Sequence, residues 1–321
     1  MSPDCLQFHS GQVTTLPLAD VSEHIHDPDR FFWIELNEPG RDLIAQLGEE
    51  FGLHELALED AISSHQRPKL EEYGEHLFIA VRTVQLWETR AEMGETHVFA
   101  GRNFVIAIRH GAGNGYARVA ERLQKSRNGM VPGAPLALYY VLDFIVDQFK
   151  PVIEGLQERF LTLESLLIGG VSPGRENLER LYALKRELTR LRDAAEPVQD
   201  ITQDLIRLHP ELATRDLRAY YRDVHDHAVR VTTLIDRLRD STSDAMQFHL
   251  ASLSLKQSES VQKLAGWGAV LAIPTVIFSL YGMNFAFMPE LQWRFAYPVV
   301  IVATASAMIW LYQRLRKRGW I

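Results

Sequence analysis

The chain is 321 residues long, with 34 Lys and Arg against 41 Asp and Glu, a formal net charge of −7 and a single cysteine. That length suggests about two domains. The acidic balance argues against a nucleic-acid partner, which usually meets a basic surplus, and a lone Cys5 excludes both an intrachain disulfide framework and a four-thiolate zinc site.

In chain order, residues 1–23 do not resemble a signal peptide, because Asp4, Asp20 and Glu23 interrupt any apolar run. From about residue 30, the runs FFWIEL (31–36), HLFIAVRTVQLW (76–87), THVFAG (96–101) and NFVIAIRH (103–110) are β-branched and aromatic, bounded by Gly, Pro and Asn, and read as strands. Between the first two, residues 41–64 space Leu and Ile by three and four, as helices do. Residues 1–135 therefore form an α/β domain. Gly111 to Gly115 follows a strand, but Tyr116 stands where a phosphate-binding G-x-G-x-x-G needs its last Gly, so the segment reads as a turn.

Residues 136–263 change character. Arg175 to Glu196 has no Gly or Pro, and neither has the 55-residue stretch from Glu211 to Ala265. As one helix that stretch would measure about 80 Å. It predicts a long stalk running without a break into the apolar tail. Leu217, Tyr221, Val224, Ala228, Val231, Ile235 and Leu238 form a seam at alternating steps of four and three, suited to a neighbouring helix from another subunit or from the chain itself.

The tail, residues 264–312, carries only Glu290 and Arg294 as charges. Leu264–Phe285 and Phe295–Tyr312 are each long enough to cross a bilayer, which takes roughly 20 apolar residues. Trp267, Tyr281, Trp293, Tyr297, Trp310 and Tyr312 lie near the span ends, as interfacial aromatics do. Residues 286–294 are too few for a domain and form a loop. Residues 313–321 are a tail with Arg314, Arg316, Lys317 and Arg318, and the excess of basic residues there places both termini in the cytoplasm and the loop outside. The expected fold is thus an α+β membrane protein of the cell (inner) membrane: a cytoplasmic domain, a long helical stalk and two C-terminal transmembrane helices.

Directly after the first apolar core stands Tyr281-Gly282-Met283-Asn284-Phe285, then Met288-Pro289-Glu290-Leu291. Together with HELALEDAISSHQRPKLEEYGEHLFIAVRT, GRNFVIAIRHG and the basic tail, this resembles the CorA family of magnesium and cobalt transporters, whose signature is Gly-Met-Asn at the outer end of the first of two C-terminal membrane helices. The resemblance covers the chain from about Phe31 onward. It implies a homopentameric channel in the lipid bilayer, an α/β/α cytoplasmic domain, and a pore lined by the first membrane helix of each subunit. The cargo implied is Mg²⁺, with Co²⁺ and Ni²⁺ as further substrates, and no enzymatic activity.

The residue types suit that chemistry. Mg²⁺ dehydrates reluctantly, so a ring of Asn284 carboxamides at the pore mouth would accept hydrogens from its water shell. Gly282 would allow a tight turn, Met283 would brace the loop, and Glu290 would raise the local cation concentration. Inward from Thr275, helical steps reach Ala272, Gly268, Leu264, Val261 and Ser258. Thr275 and Ser258 are expected to touch the hydrated ion, and Leu264 and Val261 to form an apolar constriction. Close helix approach in lipid explains Ala272 and Gly268 equally well.

Two departures from the family pattern stand out. Ser258-Glu259 replaces the common Asn-Glu, with Val261 where Met is frequent, and Gln247 falls where relatives often carry a regulatory carboxylate. Asp240 and Asp244, nearby on the stalk, are the candidates for a regulatory Mg²⁺, with Glu59 and Asp60 as others that a solvated face explains equally well. The twelve histidines read as surface residues: Leu58 breaks H-E-x-x-H after His54-Glu55, His225 and His227 point about 200° apart on a helix, and His24 and His26 make at most a weak site. The alternatives to a Mg²⁺ channel are a zinc transporter of the same superfamily and a non-conducting, membrane-anchored metal sensor.

Overall fold

The computed structural model describes residues 4–21, 23–63, 66–125, 131–168, 175–283 and 288–321. Its first 245 residues and residues 246–321 form two compact units.

The first unit is built on a seven-stranded sheet. Its strands are β1 (Asp4–His9), β2 (Gln12–Pro17), β3 (Arg30–Asn37), β4 (Lys69–Tyr73), β5 (His76–Trp87), β6 (Arg90–Ala100) and β7 (Phe104–Gly111), in the order β2-β1-β3-β7-β6-β5-β4. β3 and β7 pair in parallel, with Phe32 opposite Phe104, and every other pair is antiparallel. The alternation of strand side chains sorts two cores. Phe32, Ile34, Leu36, Phe78, Phe99, Phe104, Ile106 and Ile108 face one side, where α1 (Arg41–Phe51) and α2 (Glu55–Ile62) add Ile44, Leu47, Ala57 and Ala61. On the other side Trp33 meets Tyr116 edge-on, at 6.3 Å between centroids. There α3 (Ala117–Gln124) and α4 (Ala134–Ile168) contribute the buried Val119, Leu142, Ile145 and Phe149. Each such side chain contributes roughly 1.5–3 kcal/mol relative to exposure. The result is an α/β/α domain.

The four expected strands correspond to β3, β5, β6 and β7, with Gly101 and Asn103 just outside β6 and β7. The β1–β2 hairpin, β4 and the first half of β6 are additional. Cys5 on β1 is fully buried, and desolvation pushes its thiol up to about 12. Gly94 on β6 marks a close approach: a Cβ there would strike the carbonyl oxygen of Ala112.

α5 (Arg175–Leu208) and α6 (Arg218–Tyr281) follow. Prolines do not end these helices, since Pro151, Pro197 and Pro274 lie inside α4, α5 and α6. The seam from Leu217 to Leu238 is buried within the single chain, with Tyr221, Val224 and Ile235 at 0% exposure. It therefore packs against the chain's own helices, and the reading as a contact with another subunit is corrected. Tyr221 donates its hydroxyl to the Pro135 carbonyl at 2.9 Å, and Arg192 of α5 pairs with Asp236 of α6 at 3.0 Å.

The second unit holds the C-terminal part of α6 and α7 (Ala296–Lys317), with a short 3-10 turn at Pro289–Gln292 between them. The rings of Trp267 and Tyr312 meet at 5.9 Å.

Candidate permeation pathway and cation site

Among the described residues, α6 and α7 are the helices long and apolar enough to cross a membrane. Their packing divides α6 into two faces. Gly266 and Val270 are buried, and Ile273, Pro274 and Ile277 are half-buried one or two turns on. Opposite them, Ser258, Val261, Leu264, Gly268, Ala272 and Thr275 are all exposed in the single chain, Leu264 to 75%. The stripe expected to line a pore is among the residues of α6 that α7 leaves uncovered, as are Trp267, Leu271, Val276 and Phe278. The Thr275 hydroxyl donates to the Leu271 carbonyl at 2.9 Å, which leaves its lone pairs free to accept from water.

At the end of α6, the Gly282 N–H donates to the Phe278 carbonyl at 2.9 Å. Gly282 does not take a positive φ. A Cβ there would lie 3.3 Å from the same carbonyl oxygen, so glycine serves close approach here rather than left-handed backbone. Met283 is 53% exposed and Glu290 is exposed within the 3-10 turn. Asn284 lies outside the described residues. Arg314, Arg316 and Lys317 occupy the last turn of α7, where the helix dipole favours cations.

In the first unit, three ligand atoms converge at a place that the sequence reading does not single out. Asp143 and Asp147, one turn apart on α4, and His227 on α6 hold their ligand atoms within 4.8 Å of one another. Asp143 also accepts from Arg122 at 2.7 Å, and that guanidinium stacks over the Tyr140 ring at 4.0 Å. Partial burial, then the neighbouring Asp143 charge, raises the Asp147 carboxyl above its ordinary range. A bound cation would relieve both effects. Two carboxylates suit Mg²⁺ and the imidazole suits Co²⁺, Ni²⁺ or Zn²⁺, so the donor set fits a divalent ion. His227, half-buried on α6, also lies 3.8 Å from Asp223. Its neighbour His225 turns toward α5, its Nδ1 3.2 Å from both the Gln199 carbonyl and the Thr202 hydroxyl.

Asp240 and Asp244 are exposed on α6, as is Gln247. Asp60 is held by Lys69 at 2.7 Å. His54 is a structural cap, its Nδ1 accepting from the Leu56 N–H at 3.2 Å while its ring stacks on Tyr73.

An α/β/α domain, a long helix and an apolar helical hairpin fit a two-span membrane protein. Residues 28–317 match the model of the CorA-like Mg²⁺ transporter protein family. The chain belongs to that family, whose members are transporters rather than enzymes. It is 30% identical over 294 residues to the cobalt/magnesium transport protein CorA of Thermotoga maritima, covering 90% of this chain and 83% of that one. It is 27% identical to the putative metal ion transporter YfjQ of Bacillus subtilis, covering 93% and 92%. Among solved structures, the complete CorA magnesium transporter of Methanocaldococcus jannaschii superposes with a TM-score of 0.83 at 19% identity, over 100% of this chain and 99% of that chain. The cytoplasmic domain of ZntB from Vibrio parahaemolyticus shares the fold at a TM-score of 0.63 and 13% identity, over 81% of this chain and 100% of that chain.

Proposed function

We propose that the chain is one subunit of a pentameric channel in the cell membrane that admits hydrated Mg²⁺, and also Co²⁺ and Ni²⁺, with both termini cytoplasmic. The observation that carries this reading is the face of α6 from Ser258 to Thr275, which its own chain leaves open. Five such faces around an axis would enclose a path. Thr275 and Ser258 offer hydroxyl acceptors to the ion's water, and Leu264 and Val261 supply an apolar constriction that closes by dewetting. At the outer end, Asn284 carboxamides would accept from the hydration shell and Glu290 would concentrate cations. No pump is needed: at 100 mV, inside negative, a divalent ion gains about 4.6 kcal/mol on entry.

The Asp143, Asp147 and His227 group supports a cytoplasmic feedback site in the same channel. We place the regulatory cation there rather than at Asp240 and Asp244, because three ligand atoms already converge. The test is flux into sealed proteoliposomes loaded with a Mg²⁺-sensitive dye under an inside-negative potential, with Co²⁺, Ni²⁺ and Zn²⁺ as competitors. Mg²⁺ entry that Co²⁺ competes for is expected. A correctly assembled preparation that admits no Mg²⁺ would overturn the reading, and Zn²⁺ entry without Mg²⁺ would replace it with a zinc transporter.

A further inference from the structure

Past the end of α7 the chain does not trail away. Gly319 takes a left-handed φ of 71°. The Trp320 N–H donates to the Leu315 carbonyl at 3.0 Å and the Gly319 N–H to the Arg316 carbonyl at 3.1 Å. These two bonds, six-to-one and five-to-two around a left-handed glycine, are a Schellman cap. The cap turns the next two residues back onto the hairpin, and they land on Gly266. A Cβ at Gly266 would lie 2.9 Å from Ile321 Cγ1 and 3.2 Å from the Trp320 carbonyl oxygen. A Cβ at Gly268, two residues on and on the opposite face, would meet nothing within 4 Å. The seat is therefore a fitted contact at Gly266 that Gly268 does not share.

Its place gives it a consequence. Gly266 and Leu264 are two residues apart, so their side-chain directions on α6 differ by about 200°. Matter added behind Gly266 pushes Leu264 forward. We propose that residues 320–321, folded back by the α7 cap, form a strap seated on Gly266 that sets how far the pore helix stands from the axis, and hence the width at Leu264. Gly266 and Ile321 are positioning residues: neither touches the ion. This inference rests on the pore reading above.

The experiment compares Mg²⁺ flux at equal oligomer content. Gly266→Ala is expected to lower influx about tenfold, the scale of a modest overpacking cost. Leu264→Ala in that background is expected to restore flux by widening the constriction, and Ile321→Ala to restore it by making room for the methyl. Leu264→Ala is the discriminating rescue, because it leaves the crowding at Gly266 in place and would not repair a fold defect arising there. A second readout needs no transport: the labelling rate of Leu264→Cys by an impermeant thiol reagent, with the buried Cys5 silent. Slower labelling in the Gly266→Ala background is expected. Unchanged flux and labelling in Gly266→Ala, or a loss that neither second substitution reverses, would overturn the strap. Absence of Mg²⁺ flux in the unaltered protein would instead overturn the channel reading, with the labelling rate still deciding the strap.

Discussion

Asp147 on α4 and His227 on α6 lie 80 positions apart in sequence, yet their ligand atoms come within 4.8 Å of each other and of Asp143. An ion held there links two helices, and so stabilises the folded chain by mass action. At a hundred times its dissociation constant that amounts to about 2.7 kcal/mol. Co²⁺ is expected to raise the melting temperature of the full-length protein, and Asp147→Asn with His227→Ala to remove most of that rise. Asp240→Ala with Asp244→Ala is expected to keep it. The reverse pattern in a thermal melt would move the site to the stalk.

Asn284 carries the outer ring of the proposed channel. Asn284→Ala leaves the hydrated ion facing methyl groups, with no acceptor for its water hydrogens. Mg²⁺ uptake is expected to fall at least a hundredfold while the oligomer elutes unchanged, on the scale of about 3 kcal/mol for lost acceptors to a charged species. Flux like that of the unaltered protein would remove the ring from the mechanism.

His97 on β6 is fully buried, its Nε2 3.7 Å from Glu95 Oε1, and desolvation followed by the nearby His110 lowers it from 6.5 to about 4. Its folded form is neutral, whereas the unfolded chain takes up a proton near 6.5. The unfolded state thus binds more protons between these values, and stability falls as the pH drops through that window. The loss is about 2 kcal/mol between pH 7 and pH 5. Denaturation of the full chain across this range is expected to show that slope, and His97→Phe to flatten it. An identical slope in the variant would assign it to other groups.

Gly94→Ala tests the sheet. The new methyl would meet the Ala112 carbonyl just past the end of β7, and backbone cannot swing aside as a side chain can. A loss of about 1–3 kcal/mol is expected from overpacking, read as a lower denaturation midpoint at unchanged slope. Gly40→Ala, where a Cβ would meet nothing within 4 Å, is the comparison expected to stay near the parent.

Much of this architecture is legible in the residues. The helical tail announces itself because crossing a membrane demands long uncharged runs, and β3, β5, β7 and the second half of β6 because burial on both faces leaves continuous apolar stretches such as FVIAI. β4 escapes such a reading for the opposite reason: KLEEY is an edge strand whose side chains stay partly exposed, so no apolar run marks it. The seam from Leu217 to Leu238 was visible as a pattern, but periodicity reports that a face is covered and not by which chain. The Asp143, Asp147 and His227 group was hidden by distance along the sequence. Its available clue was the one-turn spacing of the two aspartates in an otherwise apolar segment.

The strand order also bears on how copies of the chain can meet. β4 closes one side of the sheet with five residues, three of them charged, and Lys69 is already engaged by Asp60 and Glu71 at 2.7 Å each. A foreign strand laid alongside would strip water from Glu71 and Glu72 and gain only a short ladder. At the far side β2 ends in Pro17, which has no N–H to offer. Open borders of this kind resist strand-by-strand growth into fibres. Self-association is thereby steered away from the sheet and left to helical surfaces.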